Sequence, residues 1–207
     1  MKIMKFEHSG YLVEKEGRGV LIDPVELEKK LPEFDNIDAV IITHLHGDHF
    51  QPEVVNRICE VNPKAKVFAT EDNAGNIDEA EVARDGRKVN VGAFELGFFG
   101  KDHAEIVEGE VPCQNIGVVV AGVFATPGDS FDKPPVVPKI LAVPIAAPWM
   151  KIREAMDYIG RARPNIVVPA HDGLNSEMGN TVCDNWIRRA AEEIGAEYRG
   201  VHYGEID

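Results

Sequence analysis

The chain has 207 residues, 44% hydrophobic and 28% charged, which suits the core and surface of one ordinary soluble domain. Its formal charge of −13 argues against a surface built to hold phosphate backbones, because nucleic-acid binders usually present a basic face. Three cysteines (Cys59, Cys113 and Cys183) are odd in number and unclustered, so no disulfide framework is expected and they read as small buried hydrophobes.

The first segment, Met1–Glu7, holds two lysines and a glutamate, too polar for a signal-peptide core. The longest apolar runs, such as Ile116–Phe124, are strand-sized and broken by glycine. A single domain over residues 1–207 in the cytoplasm, with no membrane partner, is the resulting expectation. Strands are predicted at Lys2–Phe6, Tyr11–Glu14 and Val20–Ile22, with a hairpin turn at Gly17–Arg18–Gly19. Asp38 precedes the continuous apolar run Ala39–Ile42, a buried-strand pattern that stops at Thr43. Pro52 then opens a helix carrying Val54, Val55, Ile58 and Val61, stopped by Asn62–Pro63.

Further strands are predicted at Lys66–Ala69, Lys88–Val91, Phe94–Phe99, Asn115–Val120, Val123–Ala125 and Lys139–Val143. Pro148 is expected to begin a helix in which Ile152, Ala155, Met156 and Ile159 recur at helical spacing until Pro164. Ile166–Val168 reads as a buried strand ending at Pro169–Ala170–His171. A last helix, capped by Asn180 and ending at Gly195, is expected to bury Val182, Trp186, Ala190 and Ile194. Glu197–Tyr203 closes the chain as a strand, and two halves of strands followed by helix are conceivable.

Of the seven histidines, three fall within His44–His49. His44 and His46 alternate with Leu45, so both imidazoles point the same way from an extended segment. Gly47 can turn the backbone and present Asp48 and His49 as a second pair of ligands. Imidazole and carboxylate are what Zn²⁺ or a similar borderline ion accepts, and no cysteine stands nearby to suggest a structural zinc site.

Thr43–His49 with Phe50 resembles the metal-binding motif of the metallo-β-lactamase superfamily, whose α/β fold is a four-layered αββα sandwich. The resemblance runs along nearly the whole chain. It implies one ion on His44, His46 and His103, a second on Asp48, His49 and His171, and Asp129 between them. Asp129 stands in Thr126–Pro127–Gly128–Asp129–Ser130, similar to the family's Gly-Asp-Ser/Thr segment, while His171 follows the last core strand. Many relatives carry a histidine two or three residues before that segment; Ala125, Thr126 and Pro127 stand there here. The opening Phe6–Glu14 and Val20–Pro24 resemble a narrower branch that includes ascorbate-6-phosphate lactonases. That branch keeps an early histidine near the cleft, which makes His8 a substrate-binding candidate. Trp149 could line the cleft, although a buried aromatic at a helix start is the commoner arrangement, and His202 reads as structural.

These residues imply a hydrolase with two divalent ions, Zn²⁺ first and Mn²⁺ or Fe as alternatives. Two close ions acidify a shared water to a hydroxide nucleophile, and the resemblance implies that Asp48, as a ligand, also orients it or carries its proton. Small esters, lactones, amides and phosphoesters all suit such a pair. Competing readings are a metal-loaded sensor without turnover, a single-iron or diiron redox enzyme of the same fold, or a nuclease using Lys29, Lys30, Lys64 and Lys66 as a basic strip. Diiron relatives commonly carry glutamate where His46 stands. Monomer and homo-oligomer are both open.

Overall fold

The computed structural model describes residues 1–77 and 79–206. Three strands, β1 (Lys2–Lys5), β2 (Tyr11–Lys15) and β3 (Arg18–Ile22), form an antiparallel meander. Its hairpin turns at Glu16 and Gly17, one residue before the expected triplet and extending less far. Both have positive φ (55° and 73°), the pairing whose twist matches that of the flanking strands. Strand β4 (Ile37–Ile41) then runs parallel to β3, and β5 (Lys66–Ala69) parallel to β4. The crossover between β4 and β5 is α1 (Pro52–Val61), which opens on its proline and buries Val54, Val55 and Ile58. A short helix α2 (Glu71–Ala74) and strand β6 (Glu81–Val82), neither foreseen in the sequence, complete this side.

The second sheet repeats the plan. Strands β7 (Lys88–Val91), β8 (Phe94–Phe99), β9 (Gly117–Val120) and β10 (Phe124–Thr126) are antiparallel, whereas β11 (Ile140–Pro144), β12 (Ile166–Ala170) and β13 (Glu197–Tyr198) continue in parallel. Helix α3 (Ile152–Ala162) joins β11 to β12, and α4 (Glu177–Glu193) joins β12 to β13. The last strand, β14 (Gly204–Ile206), returns to pair with β1, so each sheet has seven strands among the described residues.

Three apolar clusters define the layers. Ile3, Tyr11, Ile41 and Phe68 of the first sheet meet Phe94, Phe98, Phe124 and Val168 of the second between the sheets. Val54, Val55 and Ile58 of α1 pack on Val40 and Val67 outside the first sheet. Ala155, Tyr158 and Ile159 of α3 and Ile187 of α4 pack on Leu141, Val143 and Val167 outside the second. The result is the expected αββα sandwich, with apolar β-branched strands buried on both faces.

Several boundaries differ from the sequence reading. Helix α3 starts at Ile152 rather than Pro148, because Pro148–Met150 turns first and Glu154 accepts the backbone N–H of Lys151 (2.7 Å). Helix α4 starts earlier, with Ser176 as its cap accepting from the Gly179 N–H at 3.1 Å, so Asn180 lies inside it. Val182 and Trp186 are 53% and 44% exposed; the buried face is Ile187, Ala190 and Ala191. The single closing strand is two strands, one on each sheet.

Candidate metal centre

Strands β3, β4, β10 and β12 all end at the same edge of the sandwich, and the residues that follow them converge there. Beyond β4 the chain runs through His44 and His46 and turns back, with the N–H groups of His49 and Phe50 both bonded to His46 O (2.9 and 2.8 Å). That turn leaves Leu45 exposed and buries His44 and His49 completely. His103 arrives from the β8–β9 connection, Asp129 from beyond β10, His171 from beyond β12 and His8 from the β1–β2 turn.

Gly128 is what lets Asp129 reach the cluster. Its φ is +64°, and a Cβ there would lie 2.2 Å from Asn115 Oδ1 and 2.9 Å from Thr43 Cβ. Asn115 in turn accepts the Asp129 N–H at 2.9 Å and donates to Pro127 O at 2.8 Å.

The ring nitrogens sort the histidines into two kinds. Thr43 Oγ1 donates to Asp23 Oδ2 (2.7 Å), so at 3.1 Å it accepts from His44 Nδ1. His49 Nδ1 donates to Asp23 Oδ2 (2.8 Å), His103 Nδ1 to Ala104 O (2.5 Å) and His171 Nδ1 to Ala146 O (2.6 Å). With Nδ1 carrying the proton in all four, each Nε2 turns a lone pair inward. His8 is the reverse: its Nδ1 accepts the Gly173 N–H at 3.2 Å, so Nε2 carries the hydrogen and donates to Asp48 Oδ2 at 3.1 Å.

Asp129 sits at the focus. His171 Nε2 lies 2.9 Å and His103 Nε2 3.4 Å from its Oδ2, and His49 Nε2 3.2 Å from its Oδ1. Nε2 of His44, His49 and His103 and Oδ1 of Asp129 are nonetheless buried without an aligned hydrogen-bond partner. Candidate ligand atoms fall into overlapping groups no more than 4.8 Å across: His44, His46 and His103; His44, His49 and Asp129; and His8, Asp48, His49 and His171. Inward lone pairs facing a buried carboxylate repel it unless something positive stands between them. The donor set, imidazole nitrogen and carboxylate oxygen, fits borderline divalent cations.

The electrostatics bear this out for His44 and His46, whereas the two carboxylates around His49 favour positive charge at its Nε2, the place a cation would fill. Burial pushes His44 well below the ordinary histidine range, keeping it neutral, and lowers His46 in the same way. Burial also pulls on His49, but Asp129 and Asp23 on either side push it well up. Asp129 is buried, yet the positive field of His49 and contacts from His103 and His171 hold its carboxyl well below the usual range. Burial likewise opposes the charge on Asp48, and the His8 hydrogen bond with the field of His49 overrides it.

All eight residues singled out in the sequence therefore come together: His8, His44, His46, Asp48, His49, His103, Asp129 and His171. Trp149 corrects the expectation of a buried helix-start aromatic; it is half-buried in the turn before α3 and donates Nε1–H to Asp129 Oδ2 at 2.9 Å. The cysteines are half-buried rather than buried, and Cys113 Sγ lies 3.8 Å from His46 Nε2. Sequence reasoning missed Lys5, Asp23 and Asn115. Asp23 closes a strand that ends beside Thr43, a signal visible only once β3 and β4 are known to be neighbours.

The model of the β-lactamase superfamily domain matches residues 2–171. The chain belongs to the β-lactamase superfamily. Among its relatives is Protein Rv0786c of Mycobacterium tuberculosis, 27% identical over 213 residues that span 100% of this chain and 91% of that protein. The UPF0173 metal-dependent hydrolase MK1542 of Methanopyrus kandleri is 27% identical over 226 residues, covering 95% and 94% of the two chains. The metallo hydrolase Igni18 of Ignicoccus hospitalis superposes with a TM-score of 0.73 at 23% identity, over 99% of this chain and 97% of that one. This superfamily member thus has the metallo-β-lactamase fold, with its His/Asp cluster at the strand ends.

Proposed function

We infer that this chain, a metal-dependent hydrolase by family and fold, works with two divalent cations, Zn²⁺ in the first place and Mn²⁺ or Fe as alternatives. The observation that carries this reading is the common orientation of four histidines, each anchored outward through Nδ1 and facing the cleft through Nε2. In the proposal His44, His46 and His103 hold one ion, and Asp48, His49 and His171 the other, with Asp129 shared. Such ions, when bound, acidify a water and polarise the bond under attack. The substrate is a small ester, lactone, amide or phosphoester.

The protein's own contribution is orientation and exclusion of water. Asp48 is the carboxylate nearest solvent, its side chain 29% exposed against 3% for Asp129, so it can take a proton where substrate arrives. His8 fixes the rotation of that carboxylate; with both ring nitrogens engaged by protein groups, we assign it this role in place of direct substrate contact. Trp149 pins Asp129 and stands edge-on to His103, with ring centroids 5.9 Å apart, as a wall of the cleft. Three free cysteines suit the cytoplasm, and no helix among the described residues is long and apolar enough to cross a membrane.

The test is a metal analysis paired with a panel of lactones, esters, thioesters, amides and phosphodiesters. Two cations per chain are expected, with turnover of at least one bond class. Asp48→Ala should lower kcat/KM by about 10²–10⁴-fold. Two bound cations with no turnover on any substrate would favour a metal-loaded sensor; fewer than two would end the dinuclear reading.

A further inference from the structure

We propose that Lys5 is a positioning residue for the second cation, an inference that rests on the two-cation reading. Lys5 occupies an inward position of β1 in step with Ile3 and has no exposed surface. A buried amine needs a partner for each hydrogen, and here there are three acceptors: Asp172 Oδ1 at 2.9 Å, His8 O at 2.8 Å and Phe6 O at 3.0 Å. Three acceptors require three N–H donors, so the group is an ammonium.

Two of those acceptors belong to the cleft's own framework. His8 O also accepts the backbone N–H of His171 at 3.1 Å, and Asp172 directly follows His171. Both histidines have left-handed backbones, φ 59° for His8 and 56° for His171, conformations that are unfavourable for a residue with a Cβ. Their ring centroids lie only 3.9 Å apart. One comes from the first sheet and the other from the second, and the Lys5 ammonium bonds to the stretch around each. Lys5 itself touches no candidate ligand atom; it acts through His8, which holds Asp48, and through the turn that presents His171. The mechanism proposed above leaves this group unused. An ion pair kept in a core only for stability is often replaceable by apolar packing, so its place beneath two strained histidines is the informative feature.

Lys5→Met keeps the length of the stem and removes the charge. Chelator competition, metal analysis and thermal melting would be run on wild type and variant. The expected result is a folded protein whose first cation binds as in wild type and whose second binds about 10–100-fold more weakly, the usual effect of losing an outer support of a metal ligand. A purely structural role would lower the melting temperature and leave both affinities unchanged, and that outcome overturns the proposal. If Lys5→Met does not fold, Asp172→Asn, of the same shape, takes the same measurement with the same expected loss and the same overturning result. Wild type holding fewer than two cations would instead remove the reading on which the proposal stands.

Discussion

Asp23 shows how one side chain sets up a pair of candidate ligands. Its Oδ1 accepts the Thr43 N–H at 2.8 Å, and its Oδ2 accepts from both the Thr43 hydroxyl and His49 Nδ1. Through Thr43 it also fixes the ring of His44, so a single buried carboxylate determines which nitrogen of two histidines faces the cleft. Asp23→Asn would place an amide donor against Thr43 Oγ1 and His49 Nδ1 while its oxygen keeps the Thr43 N–H. The proton of His49 would then move to Nε2, the nitrogen that a cation needs. We expect metal affinity to fall about 10–100-fold with the fold retained, measured by competition with a chelating dye. Affinity within a factor of about two of wild type would show that Asp23 does not choose the tautomer. The histidine loop was legible from sequence because its ligands are four neighbours in one short segment. Asp23 was not, since an aspartate after a strand reads as an ordinary turn residue until the neighbouring strand is known.

At the level of elements, helix α4 marks where periodicity runs out. Val182, Trp186, Ala190 and Ile194 recur every four residues, but so do Cys183, Ile187 and Ala191. The two stripes lie about 100° apart on the helix, and both satisfy the amphipathic pattern. Packing turns the second inward and keeps only Ala190 and Ile194 of the first: Ile187 is fully buried against the second sheet, while the Trp186 ring faces outward with the Arg189 guanidinium 6.0 Å from its centroid. Ile187→Ala should therefore cost about 2–5 kcal/mol in urea denaturation, as a cavity-forming core truncation. Trp186→Ala should stay within about 1 kcal/mol of wild type, in the range of surface changes. The reverse order would mean that the exposed stripe is covered in solution. Strands fared better than helix faces because runs such as Ala39–Ile42 and Ile166–Val168 are buried on both sides and need no choice of face.

At the scale of the whole molecule, the conceivable repeat is realised as two sheets of like order, each an antiparallel meander continued by parallel strands. Alternation within a strand says nothing about which sheet it joins, so the sandwich was legible through the family resemblance and the C-terminal crossing was not. The chain leaves the second sheet at Tyr198 and enters the first at Gly204, and His202 lies in that crossing. Its Nδ1 bonds Asp172 and its Nε2 approaches Asp184 Oδ2 at 3.0 Å, joining the crossing to the end of β12 and to α4. Two carboxylate neighbours ask both nitrogens to donate, which only the protonated ring can do. The hydrogen bond to Asp172 raises its pKa above the ordinary histidine value; partial burial works the other way, and the Asp184 contact adds to the rise. With the folded value above the unfolded one, its stabilisation is complete below about pH 6.5 and is lost as pH rises through the folded value. Urea denaturation of wild type and His202→Gln, compared from about pH 6 to about pH 9, isolates this contribution because the other histidines are common to both. Wild type should lead at the acid end, with the difference shrinking as the solution becomes alkaline. A difference that grows with pH would show that His202 holds the crossing as a neutral ring.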